Sequence, residues 1–293
     1  MTSDAIDARA AELRVARVPY VHARVVLAEA PTSAKPGAEA LVLPDGTIEG
    51  FVGGTCAEST VRAQGLALLD SGESLLLRIT PTPEPDQTGK LVVHNPCLSG
   101  GTLEIFLEPV MPAPAIVVAG TAPVADALRA LAVQLGWRVA EEGDLASASA
   151  LVVASHGRDE EATLQAGIDA DVAYIGLVAS RKRAEAVIGT LALSADHAAR
   201  IHSPAGLDIG ARTAPEIALS IMSEIVSLRP RPSGRPVAES EPVSGTAIDP
   251  VCGMTVATVE SSLHLDHDGT RVWFCGSGCL RAFASDPSAY TPS

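Results

Sequence analysis

Two proline-rich stretches limit most strongly how this chain can fold. Residues 109–114 contain closely spaced prolines, which interrupt both helices and sheets and therefore predict a domain boundary. Residues 229–247 are rich in Pro, Ser and Gly and show no apolar periodicity, which predicts a flexible linker. The sequence therefore predicts domains at 1–110 and 114–228 and a small module at 248–293.

Composition excludes several classes of protein. Apolar residues make up 47% of the chain, which is enough to build packed cores. A net charge of −14 is not expected on a protein that binds a phosphate backbone, so nucleic acid is not a predicted partner. No apolar run reaches membrane-spanning length and no secretory signal pattern is present, so we expect a cytoplasmic protein with no membrane span.

The pattern of elements predicts an α/β protein. Helix and strand signals are mixed in the first domain, which we expect to be α+β. In the second domain strands and helices alternate, which predicts a Rossmann-like parallel sheet covered on both faces. Its last helix is expected to start at Thr213, because Thr213 and Glu216 have the spacing of a capping box.

Cys56 is the first candidate functional residue. It follows Gly53 and Gly54, and the pair Thr55 and Glu58 predicts a helix capped by Thr55 with Cys56 at its first position. The positive end of a helix lowers the pKa of a thiol. We therefore predict a thiolate that binds or passes sulfur or a metal cofactor. The alternative is a small buried side chain in a tight turn.

A second glycine-rich loop resembles the first. It contains Cys97, Ser99, Gly100 and Gly101 just before a predicted strand. Two such loops in one domain favour a shared site. A disulfide between Cys56 and Cys97 is disfavoured, since the cytosol keeps thiols reduced.

Candidate ligand-binding residues of the second domain follow its predicted strands. Ligands of open α/β sheets bind at the carboxyl ends of the strands, and an anion is favoured where a helix begins among basic side chains. The alternative is a solvated basic turn. Ala122 stands where a dinucleotide-binding turn has its second glycine, which weakens the prediction of NAD(P). The candidates are Gly120, His156, Gly176, Ser180, Arg181, Lys182, Gly206, Asp208 and Gly210.

The last module contains three of the five cysteines, at Cys252, Cys275 and Cys279. A hairpin followed by a helix can bring them together, and thiolates favour copper or zinc. His264 and His267 are candidate nitrogen ligands. Because the module has only three cysteines, we predict an open site rather than a closed site of four thiolates. The alternative is that these cysteines serve only the structure of a very small fold.

From about residue 20 to residue 228 the chain resembles the XdhC/CoxI family, accessory factors of molybdenum hydroxylases such as xanthine dehydrogenase and carbon monoxide dehydrogenase. Residues 248–293 are similar to a YHS domain, through Asp249-Pro-Val-Cys-Gly-Met254, Trp273-Phe-Cys275, Cys279 and Phe283. The family resemblance rests on Gly50-Phe-Val-Gly-Gly-Thr-Cys56-Ala-Glu58, Cys97-Leu-Ser-Gly-Gly101, Tyr174-Ile-Gly-Leu-Val-Ala-Ser180-Arg-Lys, Pro204-Ala-Gly-Leu-Asp-Ile-Gly210 and Pro215-Glu-Ile-Ala-Leu-Ser220.

This resemblance implies a protein that binds the molybdenum cofactor, assists its sulfuration and delivers it, without turnover of a free metabolite. It implies an apo molybdenum hydroxylase as partner. A cysteine desulfurase and a second copy of the chain are further candidate partners, and the oligomeric state stays open. The family's Ser-Gly-Gly-Cys loop matches residues 53–56, which read Gly-Gly-Thr-Cys, with Cys56 retained and the register of the glycines altered. Whether Cys56 ligates molybdenum or carries a persulfide stays open. YHS domains are associated with copper or heavy metals.

The chain departs from the family pattern at two places in the second domain. Residues 120–123 read Gly-Thr-Ala-Pro instead of Gly-Ala-Gly-His, and residues 155–157 read Ser-His-Gly instead of Thr-His-Asp. These departures affect nucleotide binding more than cofactor handling. Two other functions are kept as hypotheses, an NAD(P)-dependent oxidoreductase and a metal-responsive interaction protein.

Overall fold

The computed structural model describes residues 2–85, 87–96, 101–191, 193–229 and 245–290. The chain forms two compact units. The first combines Met1–Pro112 with Arg231–Ser293, and the second is Ala113–Pro230. Within the described ranges, no helix is both long and apolar enough to cross a membrane.

A six-stranded sheet forms the first part of the first unit. The elements are α1 (Ser3–Ala16), β1 (Tyr20–Ala28), β2 (Glu39–Val42), β3 (Ile48–Gly50), α2 (Thr55–Ser71), β4 (Leu75–Thr80), β5 (Leu91–His94) and β6 (Leu103–Val110). The strand order is β3-β2-β1-β6-β4-β5, and the described pairs are antiparallel except for β4 with β5.

Helix α2 packs on one face of this sheet. Val21, Ala23 and Val25 alternate along β1 and join one buried cluster with Val61 and Leu68 of α2. Alternation places every second strand residue on the same face, so β1 supplies a continuous apolar surface to the helix. Burial of each aliphatic side chain contributes roughly 1.5–3 kcal/mol. This packing fixes the start of α2, which carries Cys56.

The second unit contains a five-stranded sheet and the helices that alternate with its strands. The elements are β7 (Ala115–Ala119), α3 (Pro123–Gln134), β8 (Arg138–Ala140), β9 (Ala150–Val153), α4 (Glu160–Asp169), β10 (Tyr174–Leu177), α5 (Arg181–Thr190), α6 (Ala195–Ala199), β11 (Ile201–His202) and α7 (Ala214–Leu228), with a short 3₁₀ turn at Leu145–Ser147. The strand order is β11-β10-β9-β7-β8. All of the described pairs are parallel, so the predicted Rossmann-like sheet and the α/β class are confirmed.

The two predicted capping boxes have different outcomes. Thr213 is the N-cap of α7, and the side chain of Glu216 accepts a hydrogen bond from the Thr213 N–H at 2.9 Å, as predicted. The other prediction is wrong, because α2 is capped by Gly54 and Thr55 is already helical. Gly53 reaches a φ of 145°, which glycine adopts readily and other residues do not. The helix therefore begins at Thr55, one residue earlier than predicted.

The end of the chain belongs to the first unit. Ser261 donates a hydrogen bond to the carbonyl of Asp45 at 3.1 Å, and a Cβ on Gly46 would lie 2.6 Å from Val259. The C-terminal segment thus packs on the turn between β2 and β3. Its elements are β12 (Thr246–Ile248), β13 (Thr255–Ala257), the hairpin β14 (Leu263–His267) and β15 (Thr270–Phe274), α8 (Ser277–Ser285) and a 3₁₀ turn at Pro287–Ala289.

Candidate metal and cofactor site

Cys56 lies in the first turn of α2. Because the helix begins at Thr55, Cys56 is its second residue rather than its first as predicted. Its side chain is half-buried. A Cβ on Gly53 would meet the Cβ of Ala57 at 2.9 Å, so this glycine allows the loop to lie directly on the helix. The loop therefore holds the Cys56 thiol at a fixed place near the N-terminus of α2.

Asp249 organises the loop that carries Cys252. It is fully buried, and its Oδ1 accepts a hydrogen bond from the Val251 N–H at 2.9 Å. Its Oδ2 accepts one from the Cys275 N–H at 2.8 Å. One carboxylate therefore joins the loop after β12 to the end of β15. An aspartate that bonds the backbone two residues on is an Asx turn.

The three cysteines of the C-terminal segment lie together, as their spacing predicted. The Sγ of Cys252 lies 3.5 Å from the Sγ of Cys275, which lies 3.7 Å from the Sγ of Cys279. These separations are too long for disulfide bonds, which measure about 2.05 Å. With a carboxylate oxygen of Asp249, the three sulfurs form a group whose ligand atoms all lie within 4.8 Å of one another. Such a donor set suits zinc or copper(I).

A fourth thiol lies next to this group. Cys56 packs against a small cluster that includes Met254, Val256 and Cys275. Its thiol helps to raise the pKa of Cys275, and a Cβ on Gly276 would lie 3.4 Å from its Sγ. The prediction of an open site rested on three cysteines in the module alone. It did not include this thiol from the N-terminal segment.

The crowded thiols differ in acidity. A hydrogen bond from Cys275 and a backbone N–H hold the pKa of Cys252 below its usual range, against the effect of burial. The pKa of Cys275 is strongly raised by its hydrogen bonds to Cys252 and Cys56 and by burial. Burial and the nearby charges of Asp249 and Cys252 raise the pKa of Cys279 to about 12. Ionisation of one thiol thus opposes ionisation of the others, and a bound cation would relieve this repulsion.

A cavity of about 990 Å³ opens beside the thiols. Its wall combines the start of α2, the loop after β1, the end of β4, the residues after β5, the start of β6 and the cysteine loops. Buried Asn95 is one of its polar residues. The volume matches that of sites for small molecules and cofactors. All four thiols reach this one space, through Cys56, Cys252, Cys275 and Cys279.

The second glycine-rich loop is described only in part. Gly101 lines the cavity, and a Cβ there would lie 1.8 Å from the carbonyl oxygen of Glu29. Glycine is therefore required at this position by the close approach of two backbones. Cys97, Ser99 and Gly100 lie outside the described residues, so their predicted share in a site with Cys56 stays a prediction.

Three other predicted side chains have separate surroundings. Glu58 is half-buried in the first turn of α2, and burial raises its pKa while the charge of Arg62 opposes this. His264 is within 2.9 Å of the carbonyl of Ser262 through Nδ1. His267 meets the ring of Phe283 edge-on. Among the described residues the metal-ligand group contains no histidine, so the two histidine ligands are not brought to the thiols.

The second unit gathers its candidates at the carboxyl edge of its sheet. Gly120 follows β7, His156 follows β9, and Ser180 follows β10 and caps α5. Parallel pairing of these strands places the three turns along one edge. Arg181 and Lys182 are exposed in the first turn of α5. Gly206, Asp208 and Gly210 follow β11, and the last two are exposed.

Carboxylates of this unit already accept hydrogen bonds from backbone N–H groups along this edge of the sheet. Glu142 accepts a hydrogen bond from the Gly120 N–H at 3.2 Å, where a dinucleotide-binding fold offers its backbone to phosphate. Buried Glu160 pairs with Arg183 at 2.9 Å and accepts the Gly157 N–H at 2.7 Å. Negative charge at these turns opposes a bound phosphate.

Glycines in this unit also have packing roles. A Cβ on Gly176 would meet Tyr174 at 2.9 Å, and one on Gly206 would lie 2.3 Å from Oγ of Ser220. Gly206 donates its N–H to Glu224 at 2.8 Å, and Glu224 also accepts the hydroxyl of Tyr174 at 2.5 Å. These two glycines therefore hold β10 and the loop after β11 close to their neighbours.

Two features of the site were missed by sequence reasoning. Asp249 had a readable signal, because Asp-Pro begins turns and it stands three residues before Cys252. The proximity of Cys56 to Cys275 had none, because it depends on how the C-terminal segment packs on the first sheet.

Two family models match the chain. Residues 13–80 match the XdhC and CoxI family, and residues 116–225 match the XdhC Rossmann domain.

Similar proteins include one from Escherichia coli strain K12, the uncharacterized protein YqeB. It is 27% identical over 301 residues, which cover 91% of this chain and 54% of YqeB. The chain thus spans about half the length of this relative. A crystal structure of a xanthine dehydrogenase from Bacillus halodurans aligns with 78% of this chain and 98% of its own, at 15% identity and a TM-score of 0.37.

Proposed function

The chain belongs to the XdhC and CoxI family, and we propose that it is an accessory factor for a molybdenum hydroxylase of the xanthine or carbon monoxide dehydrogenase type. In this role it binds the molybdenum cofactor, assists its sulfuration and delivers it to the apo-enzyme. The observation that supports this most is the Cys56 thiol at the wall of a cavity of about 990 Å³.

The residues of the cavity fit such a cofactor. Thiolate sulfur is a soft donor of the kind that binds soft metal centres. The first N–H groups of α2 and the positive end of its dipole favour an anionic group, and Gly54 is exposed at this end. The apolar residues Ile79, Leu103 and Met254 line the same space. This wall would limit access of water to a reactive sulfur.

The proposed roles divide among these groups. Cys56 holds or passes sulfur at its Sγ, either as a ligand or as a persulfide. The first turn of α2 orients an anionic part of the cofactor through backbone N–H groups. The cofactor, when bound, supplies the molybdenum centre with its exchangeable sulfido ligand. Cys97, in the second glycine-rich loop, is proposed to act in the same site.

The C-terminal segment is proposed to be a soft-metal module of the YHS type. Its ligands are Cys252, Cys275 and Cys279, which lie at distances suited to a single ion. Copper(I) and zinc are the metals that such a donor set favours.

The second unit is proposed to bind an anionic group, such as the phosphate of a pterin or nucleotide, at the start of α5. Ser180, Arg181 and Lys182 supply exposed polar groups there. Among the residues that the structure describes, Arg181 and Lys182 make no ion pair, so their charge is available to a ligand. An apo molybdenum hydroxylase, a cysteine desulfurase and a second copy of this chain are the proposed partners.

Anaerobic binding of released molybdenum cofactor to the purified chain tests this function. We expect stoichiometric binding by the metal-free wild type and loss of binding in Cys56→Ser. Ser285→Ala, an exposed change on α8, is the control, since Ser285 does not line the cavity. Absence of binding by the intact protein, after its metal content has been checked, would overturn the proposal.

A further inference from the structure

Four of the five cysteines of the chain line one cavity. Three come from the C-terminal segment, while Cys56 comes from α2. We propose that Cys56 is the fourth ligand of a four-thiolate zinc-type site with Cys252, Cys275 and Cys279. A bound metal would then tie the C-terminal segment to the start of α2. This inference deepens the metal-binding part of the proposed function and does not depend on the molybdenum cofactor.

The spacing of the sulfurs supports a tetrahedral thiolate site. Four sulfurs, each about 2.3 Å from a central zinc ion, lie roughly 3.8 Å from one another. The Sγ atoms of Cys252 and Cys275 lie 3.5 Å apart and those of Cys275 and Cys279 lie 3.7 Å apart, which is close to this value. Cys56 packs against the small cluster that contains Cys275, and a Cβ on Gly276 would lie 3.4 Å from its Sγ. The three C-terminal thiols are thus spaced for one ion, with the Cys56 thiol beside them.

Asp249 is the other candidate for the fourth ligand, since one of its carboxylate oxygens lies within 4.8 Å of all three C-terminal sulfurs. Its carboxylate, however, already has a structural task. Oδ1 accepts the N–H of Val251 and Oδ2 accepts the N–H of Cys275. These bonds fix the two loops that carry Cys252 and Cys275. A group that orients the ligands through backbone N–H bonds acts as a positioning residue. We therefore assign Asp249 to positioning and Cys56 to ligation.

Burial and origin of the four thiols suggest what the metal does. Cys275 is almost fully buried, whereas Cys56 is only half-buried and faces the cavity. If Cys56 ligates the metal, its sulfur is held by the ion and does not react within the cavity. Metal binding at the C-terminal segment would then block reactions of the Cys56 thiol, and loss of the metal would permit them.

The test is the ligand count of the full-length chain loaded with zinc, measured by zinc-edge X-ray absorption. We expect four sulfur neighbours at about 2.3 Å and no oxygen in the first shell. Three sulfurs with one oxygen, assigned to Asp249 or water, would overturn the proposal. This measurement is made on the wild type, so no variant has to fold.

Cobalt substitution supplies the variant test. We expect the thiolate charge-transfer band of Cys56→Ser to fall by about a quarter, as one of four Co–S bonds is lost. Asp249→Asn should keep the full band while binding cobalt about 10–100-fold more weakly, as expected of a positioning residue. A wild-type band retained in Cys56→Ser would count against Cys56 as a ligand. Because no molybdenum is present, failure here leaves the cofactor proposal standing, and the reverse also holds.

Discussion

The two units build their candidate sites in different ways. In the first unit, reactive groups from distant parts of the sequence, Cys56 and Cys252–Cys279, converge on one cavity. In the second unit, the candidates follow successive strands of a parallel sheet, and carboxylates such as Glu142 and Glu160 already occupy several backbone N–H groups. Soft-ligand chemistry is thus concentrated in the first unit. The second unit has the strand arrangement of a nucleotide-binding fold. At the edge where such folds bind phosphate, however, its own carboxylates already accept hydrogen bonds from backbone N–H groups.

The largest effect on zinc affinity is expected from Cys275→Ser, and it would sharpen this contrast between the two units. Cys275 is the buried thiol that contacts Cys252, Cys279 and Cys56. A structural zinc site provides about 10–16 kcal/mol in all, so loss of its central ligand should weaken zinc binding roughly 100-fold or more. Competition with a chromophoric chelator measures this. Ser285→Ala, an exposed change on α8, is the control and should bind zinc as the wild type does.

The next effect is a dependence of zinc affinity on pH. The pKa values of Cys275 and Cys279 are raised, so both thiols keep their protons at neutral pH until a metal displaces them. Affinity should therefore rise with pH, by roughly tenfold per pH unit for each proton released. Zinc titrations at pH 6.5 and 7.5 in matched buffers test whether the affinity rises with pH. Equal affinity at the two pH values would show that the thiols are already ionised.

A smaller effect is expected in the second unit from Glu160→Gln. The change leaves Arg183 without its ion pair, and should lower the stability of this unit by about 1–3 kcal/mol. Trp137 reports on this unit, since the only other tryptophan, Trp273, lies in the first. Urea unfolding followed by Trp137 fluorescence in a Trp273→Phe background measures the loss. The zinc affinity of Glu160→Gln should equal that of the wild type. A loss of zinc affinity in this variant would contradict the contrast between the two units.

The smallest effect concerns NAD(P)H. Glu142 accepts the Gly120 N–H at the phosphate turn, so we expect weak binding to the wild type and a gain of only a few-fold in Glu142→Ala, since one charge is removed from an exposed site. Fluorescence of NADPH during titration measures this. Tight binding by the wild type would revive the oxidoreductase hypothesis.

Sequence patterns predicted the second unit in more detail than the first. Alternating buried strands and helices define a parallel sheet locally, and the Thr213–Glu216 capping box formed where its spacing placed it. Because parallel strands end at the same edge of a sheet, the turns that carry the candidate residues lie together there. The same reasoning located Cys252, Cys275 and Cys279 together, because a hairpin and a helix lie within one short segment.

The remainder could not be read from local patterns. The start of α2 depends on Gly53 at positive φ, so Thr55 and Glu58 did not form the box that their spacing suggested. Contact between Cys56 and Cys275 depends on packing such as that of Val259 and Ser261 on the turn at Gly46. Such long-range packing has no periodicity, and it changed a predicted three-thiol site into a group with a fourth thiol beside it.

Alkylation of individual cysteines tests most directly whether the first unit has one combined site. The full-length chain is treated with iodoacetamide before and after zinc loading, and modification of each cysteine is followed by mass spectrometry. We predict that zinc protects Cys56 to the same degree as Cys252 and Cys279, and that a chelator restores its reactivity. Full reactivity of Cys56 in the zinc-loaded protein, with Cys252 and Cys279 protected, would contradict the account.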